Sequence, residues 1–250
     1  MFTFFHRTTV QVLFLALLSQ LFPLSAVAQA QASSEPALVQ AEFSFYAWKS
    51  RRVFTMLGEN SAAKVNPNLP ELYYQSGSGW ESISVTKGRI SRSYKYSGPL
   101  PVSFYTSIPS ETNQPKPIFT VQFPPVWKEV LVLLMPGSSG NMGALPVDRS
   151  AANLVSGTVR LYNLGDKPII YKSMDRQQMV KPGTHDQFSI KNLEGHYLPV
   201  QIASEHEGQA QLAYSSKLSV NQDSRMLLLA YHPDKTSPNW LMRTLVIPEL

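Results

Sequence analysis

The sequence predicts an all-β protein: two tandem antiparallel β-sandwich units, packed together, behind an N-terminal export segment. Three observations carry this. First, the apolar runs are short and end in turn formers. Val130–Met135 stops at Pro136-Gly137, and Met226–Ala230 stops just before Pro233. Such runs are too short for a membrane span and short for a helix, and they read as buried strands entering turns. Second, prolines punctuate the chain (Pro99, Pro101, Pro109, Pro115, Pro117, Pro124, Pro125) with no amphipathic helix between them, the pattern of an all-β chain. Third, landmarks recur in order. Val85-Thr86-Lys87-Gly88 returns as Val180-Lys181-Pro182-Gly183, Leu100-Pro101-Val102 as Leu198-Pro199-Val200, and Val130 as Met226. Ordered matches at nearly constant separation indicate duplication.

The N-terminus reads as a signal peptide over residues 1–28. His6 and Arg7 precede the apolar stretch Val10–Leu18, and Ala26-Val27-Ala28 suits small-residue cleavage. Ala28-Gln29-Ala30 suits it too, so Gln29 and Gln31 are both expected N-termini. An uncleaved anchor is the alternative, but Gln20, Pro23 and Ser25 interrupt the run before the roughly 20 apolar residues of a span. No later stretch is long enough to cross a bilayer. Residues 29–36 read as a flexible leader.

The chain has no cysteine. It therefore has neither a disulfide staple nor a residue to acylate as a lipoprotein anchor, and its stability rests on apolar cores. Periplasmic or extracellular placement in a bacterium fits best. A formal net charge of +5 is too mild for nucleic-acid binding, and export argues against it as well.

The first unit is expected over residues 37–138. Phe43, Phe45, Tyr46 and Trp48 form an aromatic strand, Val53–Leu57 a second, and Asn60–Pro70 a loop. Glu71–Gln75 is a short strand before the flexible turn Ser76–Gly79. In Lys87–Tyr96, Lys87, Arg89, Ser91, Ser93 and Lys95 share one parity, and Ile90, Tyr94 and Tyr96 the other, which places them on opposite sheet faces. Val102 and Phe104, then Phe119, Val121 and Phe123, alternate in the same way. A linker is expected over residues 139–146. The alternative makes Leu145-Pro146-Val147 the last strand of the first unit and moves the boundary to about Ala151.

The second unit is expected over residues 147–250. Val159 and Leu161 alternate with Arg160 and Tyr162, turn formers fill Asn163–Pro168, and Ile169 restarts a strand, which reads as a hairpin. Gly157–Tyr171 resembles the opening hairpin of immunoglobulin-like β-sandwich repeats in secreted bacterial proteins. That resemblance implies an immunoglobulin-like fold and brings no activity with it. Farther on, Ser204–Gln209 reads as a hairpin tip, and Ala210, Leu212 and Tyr214 alternate with glutamines. The two continuous apolar runs add a further expectation. A half-exposed antiparallel strand alternates, whereas Val130–Met135 and Met226–Ala230 are apolar on both faces, so the other unit is expected to cover the second face.

No motif supports catalysis. Gly137-Ser138-Ser139-Gly140 has its second glycine one place early for a nucleophile elbow, and no helix former follows. His185, His196, His206 and His232 sit near Asp186, Glu205, Glu207 and Asp234. Adjacent residues on a strand point to opposite faces, so Glu205-His206-Glu207 is a poor metal site and is better read as solvated turn charge. No catalytic residue, metal ligand or cofactor is assigned. The binding candidates are Trp48, Arg51, Tyr73, Tyr74, Trp80, Arg92, Tyr94 and Tyr96, since aromatic faces beside basic groups stack on sugars and pair with acids. Core packing is the competing explanation for these rings. Arg92 falls on the apolar parity, as an inward edge charge or as part of a binding surface. The expected role is a non-catalytic interaction or envelope-structural protein, with envelope protein or polysaccharide as partner. The alternatives are carbohydrate binding through the first-unit aromatics and a hydrolase sited in the second unit.

Overall fold

The computed structural model describes residues 38–48, 69–136, 142–206, 208–232 and 240–248. Those residues are all-β, with several sheets and no helix. The signal peptide, the leader, Arg51, the Val53–Leu57 strand and the Gly137–Gly140 turn lie outside the described residues.

The first half centres on a four-stranded sheet. Its strands are β1 (Val39–Ala47), β4 (Tyr94–Gly98), β7 (Glu129–Pro136) and β8 (Met142–Asp148), in the order β4-β1-β7-β8. β1 runs antiparallel to β4 and parallel to β7, and β7 runs antiparallel to β8. Two hairpins supply the opposing layer: β2 (Leu72–Ser76) with β3 (Gly79–Ile83), and β5 (Val102–Phe104) with β6 (Phe119–Val121). A backbone bridge between Tyr73 and Tyr105, with N···O distances of 2.8 and 2.9 Å, joins the hairpins. Both layers feed one core. Phe104 stacks on Phe119 at 4.7 Å and meets Phe45 edge-on at 5.5 Å, the offset and T-shaped geometries aromatic rings prefer.

The second half follows the same order. Its central sheet is β12 (His185–Ser189), β9 (Thr158–Asn163), β15 (Arg225–Tyr231) and β16 (Leu241–Ile247). β9 is antiparallel to β12 and parallel to β15, and β15 is antiparallel to β16. The facing sheet joins β11 (Arg176–Val180), β10 (Ile169–Ser173), β13 (Tyr197–His206) and β14 (Gln209–Ser219). Local details match as well. Gly88 and Gly183 both have positive φ, at 74° and 70°, where glycine alone is unstrained. Each donates its N–H to the last residue of the first strand of its half, Ala47 and Asn163, at 2.9 Å.

A third core lies between the two central sheets. It gathers Tyr46, Leu131, Leu133 and Val147 from one, Tyr162, Leu227, Leu229, Leu245 and Ile247 from the other, and Trp48 and Leu154 from the chain beside them. β7 thus buries Val130, Val132 and Leu134 in its own half and Leu131 and Leu133 in the shared core. β15 divides Met226, Leu228 and Ala230 from Leu227 and Leu229 in the same way. A strand buried on both faces needs no polar parity, which is why these two runs are continuous.

Several expectations are corrected. The linker placed at 139–146 is strand from Met142 onward, and the chain passes between halves at 149–157. β8 is an edge strand, where Pro146 is tolerated because its missing N–H can face away from the ladder. The hairpin read over Gly157–Tyr171 is a crossover, since β9 and β10 belong to different sheets. Asn163, fully buried, sets that turn. Its amide donates to the carbonyls of Lys167 (2.8 Å) and Val180 (3.0 Å) and accepts from the Gly165 N–H (2.9 Å). β9 is buried on both faces, so the Arg160/Tyr162 parity faces the shared core rather than solvent. In Lys87–Tyr96 only Tyr94 onward is strand, and Lys87 is buried after a single bridge to Ala47.

Candidate functional site

The aromatics singled out by sequence do not share an exposed face. Trp48, Tyr74, Tyr94 and Tyr96 are buried and have no ring face to offer a ligand. Their hydroxyls are satisfied internally: Tyr74 donates to Glu81 (2.9 Å) and to the Lys95 carbonyl (2.7 Å), Tyr94 to the Ser84 carbonyl (2.9 Å), and Tyr96 to the Pro99 carbonyl. Burial pushes the Tyr74 and Tyr96 phenols above their ordinary values, with the Glu81 hydrogen bond adding to Tyr74. Trp48 meets Tyr231 edge-on at 4.7 Å and carries Arg243 over its face at 4.9 Å. Tyr73 and Trp80 are half-buried. Tyr73 donates to Glu71 at 2.7 Å, and Trp80 packs against Tyr105 at 5.6 Å. Arg92 precedes β4 and is exposed, with its guanidinium 5.0 Å from the Tyr94 ring centroid. It is therefore no inward edge charge.

The histidines are separated. His185 lies against Tyr162 at 4.7 Å, whereas its neighbour Asp186 reaches the opposite side of the same strand. There Asp186 accepts from Tyr171 (2.5 Å) and takes both Nε (2.9 Å) and Nη2 (2.9 Å) of Arg176. This knot ties β10 and β11 of one sheet to β12 of the other. Partial burial pushes the Asp186 carboxyl upward, but the Tyr171, Arg176 and backbone hydrogen bonds, with the arginine charge, outweigh it and hold the carboxyl below the usual range. A depressed carboxylate contributes stability that is complete above its unfolded value and fades as pH falls through the folded one. Asp186→Asn should therefore lower stability at neutral pH and flatten its loss from about pH 4 downward. Denaturant unfolding across that range measures both effects, and an unchanged acid limb would show that the knot is not stability-linked. Among the described residues no group of three His, Asp or Glu is arranged to hold a metal ion.

Charge is also buried where the two halves join. Arg149, Arg160, Arg225 and Asp148 are buried there, with Glu129 and Glu42 close enough to act on Arg149. Burial lowers the Arg149 pKa, and Arg225 adds to this while the two glutamates oppose it. The cluster's hydrogen bonds run to the join: Arg160 donates Nη1 to the Asp148 carbonyl (2.9 Å), Nη2 to the Asn153 carbonyl (2.8 Å) and Nε to Gln187 (2.8 Å).

The outer face of the β11-β10-β13-β14 sheet, which sequence reasoning did not single out, carries two depressions. They measure about 640 and 320 Å³ and share Met174, Pro199 and Lys217 in their lining. The larger adds Tyr197, Asp175, Asn192 and Glu194. The smaller adds Lys172, Gln201, Ser215 and Ser216. Ladder register explains the pattern. Gln177, Lys172, Gln201 and Ser215 are cross-strand neighbours in one polar row spanning all four strands. Pro199 pairs with Lys217 and Tyr197 with Ser219 in the rows beside it. On the other side lies an apolar row, Met179-Ile170-Ala203-Leu212. Met174 sits at φ 54° in the two-residue turn between β10 and β11, an uncommon conformation for a residue with a Cβ and one found at functional sites. The available signal was Tyr197, which falls on the parity opposite to the core residues Leu198, Val200 and Ile202.

No family model matches the chain, and no curated protein matches it either.

Proposed function

We propose that this is a non-catalytic exported protein made of two tandem immunoglobulin-like sandwiches fused into one stiff body, with an interaction or envelope-structural role. The core shared by the two central sheets is the observation that carries the reading. It commits the best apolar strand of each half, β7 and β15, to holding the halves together, and it leaves the facing layers turned outward for partners. The matching strand order of the halves supports duplication. Export rests on the signal-like N-terminus and the absence of cysteine. The phenols of Tyr74 and Tyr171 and the carboxylates of Glu81 and Asp186 are engaged in internal hydrogen bonds, which is structural use of groups an enzyme would keep for substrate.

The test is expression of the full chain in a bacterial host, with analysis of the exported material. The N-terminus is expected at Gln29 or Gln31, and ester and glycoside panels are expected to show no turnover. A product still beginning at Met1 would refute export. Turnover abolished by His185→Ala or His206→Ala would replace this reading with the hydrolase alternative.

A further inference from the structure

We propose that the outer face of the β11-β10-β13-β14 sheet binds an acidic polysaccharide, with Tyr197 against a sugar ring and Lys172 and Lys217 on a carboxylate of the adjoining residue. The inference rests on the non-catalytic interaction reading and names its partner. Four features of the face carry it. Tyr197, the first residue of β13, is 62% exposed and presents a flat apolar surface of the kind that packs on the C–H face of a pyranose. Around it Asp175, Asn192 and Glu194 line the larger depression, and their carboxylates and amide suit hydroxyl donors and acceptors. The smaller depression is lined by Lys172 and Lys217 and by no acidic side chain, so it offers two ammonium groups to a carboxylate seated there, whereas Asp175 and Glu194 in the larger one disfavour a carboxylate beside Tyr197. The two depressions adjoin, with Met174, Pro199 and Lys217 in the lining of both, which fits a ligand longer than one sugar.

A peptide fits this surface less well. Extended peptides bind by adding main-chain hydrogen bonds at a sheet edge or by filling apolar pockets. Here the central strands β10 and β13 are already paired on both sides and offer no main-chain edge. A polymer of sugar rings needs only side-chain hydroxyl, amide and charge contacts from a sheet face. The lysine contribution is electrostatic and exposed, so binding should weaken as salt rises.

The test is titration calorimetry of the full chain against polygalacturonate and alginate oligosaccharides, with dextran as neutral polymer and polyglutamate as acidic peptide. Binding is expected to the acidic glycans alone. Tyr197→Ala and the double variant Lys172→Glu/Lys217→Glu should each weaken it by at least about tenfold. These side chains are exposed, so unchanged thermal unfolding of the variants verifies that the fold persists. No binding to either acidic glycan overturns the inference and leaves the non-catalytic reading standing. Equal binding of polyglutamate, with Tyr197→Ala unaffected, replaces the glycan with an acidic peptide. Self-association in sedimentation that Leu212→Lys dissolves shows that a second copy covers this face, and it too overturns the inference. Shortened oligosaccharides after incubation would instead refute the non-catalytic reading, even with binding intact.

Discussion

Leu133→Asp and Leu134→Asp are both expected to destabilise the protein by about 4 kcal/mol or more, although the two side chains leave the same strand in opposite directions. Leu134 enters the core of the first half and Leu133 the core between the central sheets, and both are essentially inaccessible. An aspartate at either place puts a charge into a buried apolar cluster. Its carboxylate is neutralised by protonation or drags water into the core, and either outcome costs several kcal/mol. In a conventional half-exposed strand one of the two would fall within about half a kcal/mol of wild type. Denaturant unfolding of the purified variants decides between these outcomes. If Leu133→Asp unfolds like wild type, the core between the sheets does not hold the halves together, and the case for a stiff two-part body falls with it.

The second large effect is expected at Arg160. Arg160→Met keeps most of the volume and removes every donor. It leaves the Asp148 and Asn153 carbonyls and the Gln187 side chain to find other partners beside a buried face. Orphaned buried acceptors cost about 1–3 kcal/mol each, and Gln187 still donates to the Asn153 carbonyl at 3.1 Å, so a total of about 3 kcal/mol is expected. Arg160→Lys should recover little of this. The three acceptors lie on the end of β8, on the join and on β12, a spread that a planar fork spans and a single ammonium does not. Unfolding of Arg160→Lys at wild-type stability would show that charge rather than geometry matters there.

Much of this architecture was legible in the chain. The unbroken apolar parity of Val130–Met135 and Met226–Ala230 requires a cover on each face, and the landmarks around Gly88 and Gly183 sit at matching turns. Other features were hidden for physical reasons. Met142–Asp148 looks like a linker because glycine and proline weaken a strand, yet an edge position accepts both. Asn163–Pro168 looks like a hairpin turn because turn chemistry fixes local curvature and not the sheet that receives the chain. Alternation at Arg160 and Tyr162, or at Tyr94 and Tyr96, shows that a strand has two faces but not which face is covered. The tyrosines were therefore readable as binding residues or as core until their hydroxyls were seen to bond inward. The Tyr197 face escaped because its polar row joins residues distant in sequence, and only the register of four strands brings Lys172, Gln201 and Lys217 side by side.

The parallel pairing of β1 with β7 sets an order of events during synthesis. Phe43 meets Val130 and Tyr46 meets Leu133, so the earliest strand of the first half has no neighbour on that side until nearly the whole half has been made. Closing so long a loop before any reward slows folding. Even then the first half is unfinished, because Leu131 and Leu133 stay bare until Leu227 and Leu229 arrive on β15, and β16 brings Leu245 and Ile247 last of all. A nascent chain stopped at the midpoint carries a sticky leucine stripe with nothing to cover it, and such intermediates aggregate. Nonsense mutations well into the second half should therefore leave no usable first half behind, so the gene tolerates truncation no better than if the protein were a single indivisible domain.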